Sequence, residues 1–192
     1  MRIISGRFKG KKLVESLSKQ VDLRPTTDRN KESLFNILDS NSVLKEKSFD
    51  LNGLCVLDLC CGTGAVGFES LSRGAQKCVF IDIDKRHLDL TKKNAKLLGL
   101  EDEVEILNFD ATNLPKFLSE YKFNFIFIDP PYKNDYSKIF KSLNTLDIYA
   151  KDCLIVVESE KGMELDCCEG EGVEYLFKKE YGKSSFGFFR CS

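Results

Sequence analysis

The sequence predicts an α/β protein built on a mostly parallel sheet with helices on both faces, and three observations predict it. From Leu54 onward, short apolar runs rich in Val, Ile and Phe alternate with segments of helical periodicity. The first run leads into a glycine loop, Gly62-Thr63-Gly64-Ala65-Val66-Gly67, of the kind that turns a strand into a helix beneath a ligand. The last two runs, at 173–181 and 186–190, follow one another around Gly182-Lys183 with no helix between them. That pattern adds an antiparallel hairpin to the C-terminal end and brings the sheet to seven strands.

In order, residues 2–5 and 11–14 read as two short strands joined by a flexible basic loop at 6–10 with one exposed ring, Phe8. Thr26 or Thr27 can cap the next helix, with Asp28 in its first turn; Leu34, Phe35, Ile37 and Leu38 give it an apolar face. Residues 41–52 are polar and read as a connecting loop. Strands follow at 54–59, 78–81, 104–107, 123–128 and 153–157, the last ending at Glu158. The helices between them run from the glycine loop to Arg73, from 85 to 98 behind an Asp84 cap, around 114–118 and over 136–146. This divides the chain into an N-terminal basic hairpin and helix, 1–40, and a sheet domain, 41–192.

Charge and cysteine usage narrow the function classes. Residues 1–31 carry nine basic groups against three acidic ones, a balance of +6, so with the chain at −1 the remainder carries −7. A basic arm on an acidic body suits a phosphate-rich partner met on one side, or simply a solvated hairpin. The eight cysteines include the adjacent pairs Cys60-Cys61 and Cys167-Cys168 but no Cys-x-x-Cys, and His87 is the only histidine. No metal site is expected, and the cysteines read as free thiols used as small apolar residues. His87 reads as helix surface. No run approaches the roughly 18 apolar residues of a membrane span, and the N-terminus has no signal-peptide architecture, so a cytoplasmic protein away from membranes is expected.

The chemistry-bearing residues sit at strand ends. Asp129-Pro130-Pro131-Tyr132 closes the run at 123–128, and two prolines without N–H groups force the chain out of the sheet in a rigid turn. A carboxylate and an aromatic ring flank that turn. Tyr132 can stack on a flat heterocycle while Asp129 and the Pro130 carbonyl accept from its exocyclic amine. Alone, the same residues also suit an ordinary strand end.

Gly62-x-Gly64-x-x-Gly67 matches the dinucleotide fingerprint, and Asp82 lies 20 residues after Gly62, where a ribose-binding acid is expected. A nicotinamide-dependent dehydrogenase is therefore the competing reading. Asp58, four residues before Gly62, opposes a pyrophosphate and favours a cationic ligand with an α-amino group. S-adenosylmethionine has that charge and no phosphate. Asp58 then accepts from its ammonium, Gly62 and Gly64 admit close backbone approach, Asp82 takes the ribose hydroxyls and Asp110 the adenine amine. Cys60, Ile83 and Ala111 stand beside these acids, and Asp129 closes the crevice.

Asp58 through Gly64, Asp82, Asp110 and Asp129-Pro130-Pro131-Tyr132 together resemble the S-adenosylmethionine-dependent amino-methyltransferases. Four further segments resemble the bacterial family that methylates a guanine N2 in small-subunit ribosomal RNA. They are Arg2-Ile3-Ile4-Ser5-Gly6, Leu23-Arg24-Pro25-Thr26-Thr27-Asp28-Arg29, Leu71-Ser72-Arg73-Gly74-Ala75, and Tyr181-Gly182 with 186–190. The resemblance spans nearly the whole chain and is weakest at 41–52 and 160–175. Cys60-Cys61-Gly62-Thr63-Gly64 departs from that family's usual Phe-Ala-Gly-Ser-Gly but keeps the turn glycines, and lysine stands at Lys9 or Lys11 where the family usually has arginine.

The resemblance implies a Rossmann-like methyltransferase fold with a small N-terminal extension, S-adenosylmethionine as methyl donor, and a monomer. It also implies ribosomal RNA as partner, within a small-subunit assembly or the assembled subunit. Arg7, Lys9, Lys11, Lys12, Arg24 and Arg29 would then hold the RNA backbone. The same turn suits a DNA adenine or cytosine, or a protein glutamine, because it reads only an amine beside a π-face.

Overall fold

The computed structural model describes residues 1–16, 28–46, 49–131, 136–165 and 172–191. In chain order it contains α1 (Asp28–Ser40), α2 (Ser42–Glu46), β1 (Cys55–Leu59), α3 (Ala65–Ser72), β2 (Lys77–Asp82) and α4 (Lys85–Leu98). Then come β3 (Val104–Asn108), β4 (Phe123–Ile128), α5 (Tyr136–Asn144), β5 (Tyr149–Glu160), β6 (Val173–Tyr181) and β7 (Ser184–Cys191). The seven strands form one sheet in the order β3-β2-β1-β4-β5-β7-β6. β1 to β5 are parallel to one another, and β7 is antiparallel to both β5 and β6, as the helix-free tail predicts. The winding runs outward from β1 to β3, then resumes on the other side with β4 and β5. Sheets of this kind bind ligands outside the carboxyl ends of the strands where the direction reverses, here between β1 and β4.

Strand alternation divides the apolar side chains between two layers. Val56, Phe80, Phe125, Phe127, Leu154, Val156, Phe186 and Phe188 face α1, α3 and α4. Leu57, Leu59, Ile126, Ile128, Ile155 and Val157 face α5. Ile3, Leu13, Leu34 and Phe35 belong to the first of these cores, so residues before 41 pack directly against the sheet domain.

The N-terminal arm is fastened by polar groups as well. Glu69, fully buried in α3, accepts from Ile4 N (2.7 Å), Ser5 N (2.9 Å), Lys31 Nζ (3.3 Å) and Arg73 Nε (2.9 Å). Lys31 is fully buried too and donates to the Arg2 carbonyl at 2.6 Å. One of the nine basic groups of the arm is thus consumed inside the protein. Gly6 sits at φ +79°, and a Cβ there would lie 1.7 Å from the Ser72 carbonyl oxygen, a contact that only glycine permits.

Several sequence expectations are corrected. The segments at 2–5 and 11–14 pair through Ile3 N–Lys11 O (2.9 Å) and Leu13 N–Met1 O (3.0 Å) around a single Arg2–Lys12 bridge, without becoming regular strands. Phe8 is half-buried against the core, and the Arg7 guanidinium lies 4.7 Å over its ring, so the loop has no free aromatic. The stretch at 41–52 contains a helix, α2, because Asn41 Oδ1 accepts from Val43 N at 3.0 Å while Leu44 is fully buried. β5 extends to Glu160 because β7 pairs with it from Cys153 through Glu160, so Glu158 lies inside the strand. Near 114–118 the chain forms only a 3₁₀ turn, Lys116–Glu120.

Among the described residues no helix is long and apolar enough to cross a membrane, and no cluster of His, Cys, Asp and Glu is placed to hold a metal ion. Cys55, Cys60, Cys61, Cys78, Cys153 and Cys191 are free thiols, while Cys167-Cys168 lies outside the described residues.

Candidate active site

At the reversal point the loop after β1 and the turn after β4 meet, with Asp129 N donating to Leu59 O at 3.2 Å. Cys60 takes φ +61°, a left-handed conformation that costs a non-glycine residue about 1 kcal/mol or more. Its thiol marks the centre of the site. Burial is the main reason its pKa rises well above the ordinary thiol value, and the charges of Asp82, Asp129, Asp58 and Asp110 all push the same way. The four acids read from separate strand ends therefore all act electrostatically on this one thiol. Burial also raises Cys61. Both thiols stay protonated, which makes the Cys-Cys pair a poor nucleophile and slow to oxidise.

Each acid has a distinct state. Asp58 is buried in β1, its Oδ2 accepting from Gly67 N at 2.9 Å. Burial raises its pKa to about 7, the Gly67 hydrogen bond opposes this, and the Asp82 charge reinforces it. Asp82 Oδ2 accepts from Gly62 N at 2.9 Å and Oδ1 from Asp84 N at 2.8 Å, so this carboxylate also shapes the glycine loop. Asp110 is exposed; its Oδ1 accepts from Thr112 N and Oγ1, both at 2.8 Å, and Oδ2 takes none of the described hydrogen bonds. Asp129 is half-buried, Pro130 is buried and Pro131 is exposed. Tyr132 and Arg24 lie outside the described residues.

The loop fits a cofactor whose backbone contacts matter more than its side-chain contacts. Gly62 has φ +54°, and a Cβ there would meet nothing within 4 Å, leaving open space at the turn. A Cβ on Gly67 would lie 2.3 Å from the Phe80 ring and 2.6 Å from Cys78 Sγ, so this glycine lets α3 settle on β2. Ile83 is 68% exposed immediately after Asp82, an apolar face beside the crevice. Ala111 is buried under Asp110. These features accommodate a cationic nucleoside such as S-adenosylmethionine.

Three supporting residues escaped sequence reasoning. His87 is half-buried and its Nδ1 lies 3.1 Å from Asp82 Oδ2; that hydrogen bond raises its pKa against the effect of burial. The helix-surface reading is corrected accordingly. Thr91 Oγ1 donates to Gly62 O at 3.0 Å, and Asn94 Nδ2 to Thr63 O at 3.0 Å and Val14 O at 3.1 Å. The available signal was their spacing: 87, 91 and 94 form one polar stripe along α4, next to Leu88, Ala95 and Leu98.

Of the described basic residues, Arg7, Lys9, Lys11 and Lys12 are not gathered at the crevice. Arg7 pairs with Glu103, and the loop bearing it docks through Arg7 N–Ser72 O (2.8 Å) at the C-terminal end of α3. That is the edge of the sheet opposite Asp129. Lys9, Lys11 and Lys12 are exposed along the same arm. Arg29 is exposed in the first turn of α1, where the neighbouring Asn30 reaches Glu158 beside the crevice. A separate open groove of about 460 Å³ between Ser5, Asp39, Phe49 and Arg73 lies at the far edge as well, where Arg73 and Asp39 pair at 2.7 Å.

The raised Asp58 pKa yields a pH prediction. Its folded pKa exceeds the ordinary value of 3.8, so its favourable effect on stability is complete below that value and is lost as pH rises through about 7. A cationic ligand reverses the preference by favouring the ionised form. Affinity for S-adenosylmethionine is expected to rise between pH 6 and 8, by at most about tenfold per unit. Calorimetric titration of wild type and Asp58→Asn checks this, and a slope retained in the variant assigns the titration to His87 instead.

The sequence matches the family described as Conserved hypothetical protein 95 over residues 1–190. It is 35% identical over 168 residues to ribosomal RNA small subunit methyltransferase D of Haemophilus influenzae, covering 86% of this chain and 81% of that protein. YlbH of Bacillus subtilis is 34% identical over 195 residues, covering 99% of this chain and 98% of its own. Among solved structures, yhhF of Escherichia coli has TM-score 0.78 at 28% identity, with 100% of this chain and 97% of that one covered. The parallel sheet reversing at β1/β4, the acid-lined crevice and these matches agree, and the chain belongs to the Conserved hypothetical protein 95 family, that of the small-subunit ribosomal RNA methyltransferase D proteins.

Proposed function

We propose that the protein transfers a methyl group from S-adenosylmethionine to the exocyclic N2 amine of one guanine in small-subunit ribosomal RNA. The observation that carries this reading is the gathering of Asp58, Asp82, Asp110 and Asp129 at one edge of the sheet around the β1/β4 reversal. Such a field favours a cationic, phosphate-free cofactor and opposes a pyrophosphate, which disfavours the dehydrogenase. When bound, S-adenosylmethionine supplies an electrophilic methyl group on a sulfonium. Asp58 would hold its ammonium, Asp82 the ribose hydroxyls and Asp110 the adenine amine, with Gly62, Gly64, Cys60, Ile83 and Ala111 forming the walls.

Asp129 and the Pro130 carbonyl hold both hydrogens of the target amine and aim its lone pair, which is otherwise conjugated with the ring. The chain's contribution is then mainly positioning. Pro131 keeps the turn rigid, and Tyr132 stacks on the base, worth roughly 1–3 kcal/mol on comparable platforms. The methylated ammonium formed on transfer is acidic enough to lose its proton without a dedicated strong base. The nucleotide reaches the crevice unstacked.

The same reading places the protein in the cytoplasm as a monomer, meeting RNA in a small-subunit assembly. Arg29 holds the backbone near the target, Arg7, Lys9, Lys11 and Lys12 hold more distant phosphates, and the resemblance assigns Arg24 to the RNA backbone as well. Replacing Lys9, Lys11 and Lys12 with Ala is expected to flatten the salt dependence of RNA binding by about two in logarithmic slope. An unchanged slope returns the arm to solvated surface. For the activity itself, mass-spectrometric mapping of ribosomal RNA from cells lacking the protein should show one N2-methylguanosine missing. An unaltered modification pattern overturns the proposal.

A further inference from the structure

Beside the turn stands a carboxylate that the mechanism above does not use. Glu158 is only 3% exposed, yet its Oε2 has no hydrogen-bond partner among the described residues. Its Oε1 is held by Asn30 Nδ2 at 3.1 Å, and the same amide reaches Ser184 Oγ at 3.1 Å. A buried unpaired carboxylate oxygen is destabilising, and a neutral residue would satisfy Asn30 equally well. Its position explains why an acid is kept there. Ile128 of β4 pairs with Val157 of β5, so Asp129 and Glu158 are the next residues on adjacent strands, roughly 5 Å apart along the backbone. Alternation puts Glu158 on the face of Leu154 and Val156, the face shared with Phe125 and Phe127.

We propose that Glu158 is a specificity-determining residue that selects guanine, its free Oε2 accepting the ring N1–H next to the amine held by Asp129. This rests on the guanine-N2 reading and deepens it. Among the bases with an exocyclic amine, only guanine carries a ring N–H donor beside that amine. Adenine presents the bare N1 there and cytosine the bare N3, and either lone pair is repelled by a carboxylate oxygen. Asp129 and the Pro130 carbonyl recognise any amine; Glu158 supplies the distinction between bases. Burial raises its pKa while Ser184 and Asn30 oppose the rise, so a donor arriving at Oε2 also favours the ionised acceptor. The sequence marked Glu158 only as the end of a strand, because its hydrogen-bond partner Asn30 lies 128 positions away.

The test uses small-subunit RNA in which the methylated guanosine is replaced by 2-aminopurine, which keeps the N2 amine but has a bare N1. Wild-type protein should prefer guanine by at least about tenfold in kcat/KM. Glu158→Gln can donate from its amide to the bare N1, so it should lower the guanine rate and shrink or invert that preference, with S-adenosylmethionine affinity unchanged. Equal wild-type rates on the two RNAs overturn the proposal whether or not the variant folds. A folded variant that keeps the wild-type preference also overturns it while leaving the guanine-N2 reading standing. Wild-type protein that leaves the guanine amine unmethylated overturns both.

Discussion

Asp129→Ala is expected to lower methyl transfer by about 10³-fold while S-adenosylmethionine affinity changes by less than about threefold. The reason is the division of labour between strand ends. Asp58, Asp82 and Asp110 lie on the β1, β2 and β3 side of the reversal, with the glycine loop that is assigned to the cofactor. Asp129 follows β4, on the other side, and its carboxylate is assigned to the target amine. Without it the amine keeps one acceptor, the Pro130 carbonyl, and its lone pair is no longer aimed. Single-turnover kinetics with equilibrium dialysis of the cofactor separate the two effects. If affinity and turnover fall together, Asp129 belongs to the cofactor site and its assignment to the amine is wrong.

Glu69→Gln is expected to destabilise the fold by about 3–5 kcal/mol, lowering the melting temperature by about 10 °C. Glu69 accepts four donors inside the protein, two of them backbone N–H groups of the arm and one the buried Lys31 ammonium. The amide keeps one acceptor oxygen and turns an N–H group toward donors, leaving the Lys31 charge without its counterion. Since domains hold only about 5–15 kcal/mol in reserve, that change is large. The arm should also become protease-sensitive, because Ile4 and Ser5 lose their acceptor. A variant melting within about 2 °C of wild type would show that apolar packing of Ile3 and Leu13 holds the arm unaided.

The parts legible in the sequence were those with a local signal. β1 to β4 are bounded by apolar runs, glycines and acids within a few residues, and the structure places them where those signals stand. Asp58, Asp82, Asp110 and Asp129 were legible because strand-end acids in an α/β alternation share one edge by topology. What the sequence hid depends on contacts between distant segments. The extension of β5 comes from pairing with β7, some 25 to 40 residues further along. Glu69 is an unexceptional glutamate until Ile4 and Ser5, 65 and 64 positions earlier, arrive beside it. His87 looked like helix surface because its partner, Asp82, is on the preceding strand. The basic arm was legible as charge but not as geometry: Gly6 docks on Ser72 at the far edge, Lys31 is buried, and Arg7 meets Glu103.

Methylation of a guanine N2 in this crevice is the proposed reaction. Its most direct test incubates the purified protein with methyl-labelled S-adenosylmethionine and small-subunit particles from cells lacking it, then digests the RNA to nucleosides for mass spectrometry. One N2-methylguanosine per particle is predicted with wild-type protein, and none above background with Asp129→Ala. Label recovered in adenosine, cytidine or protein, or equal labelling by the Asp129 variant, would contradict the account.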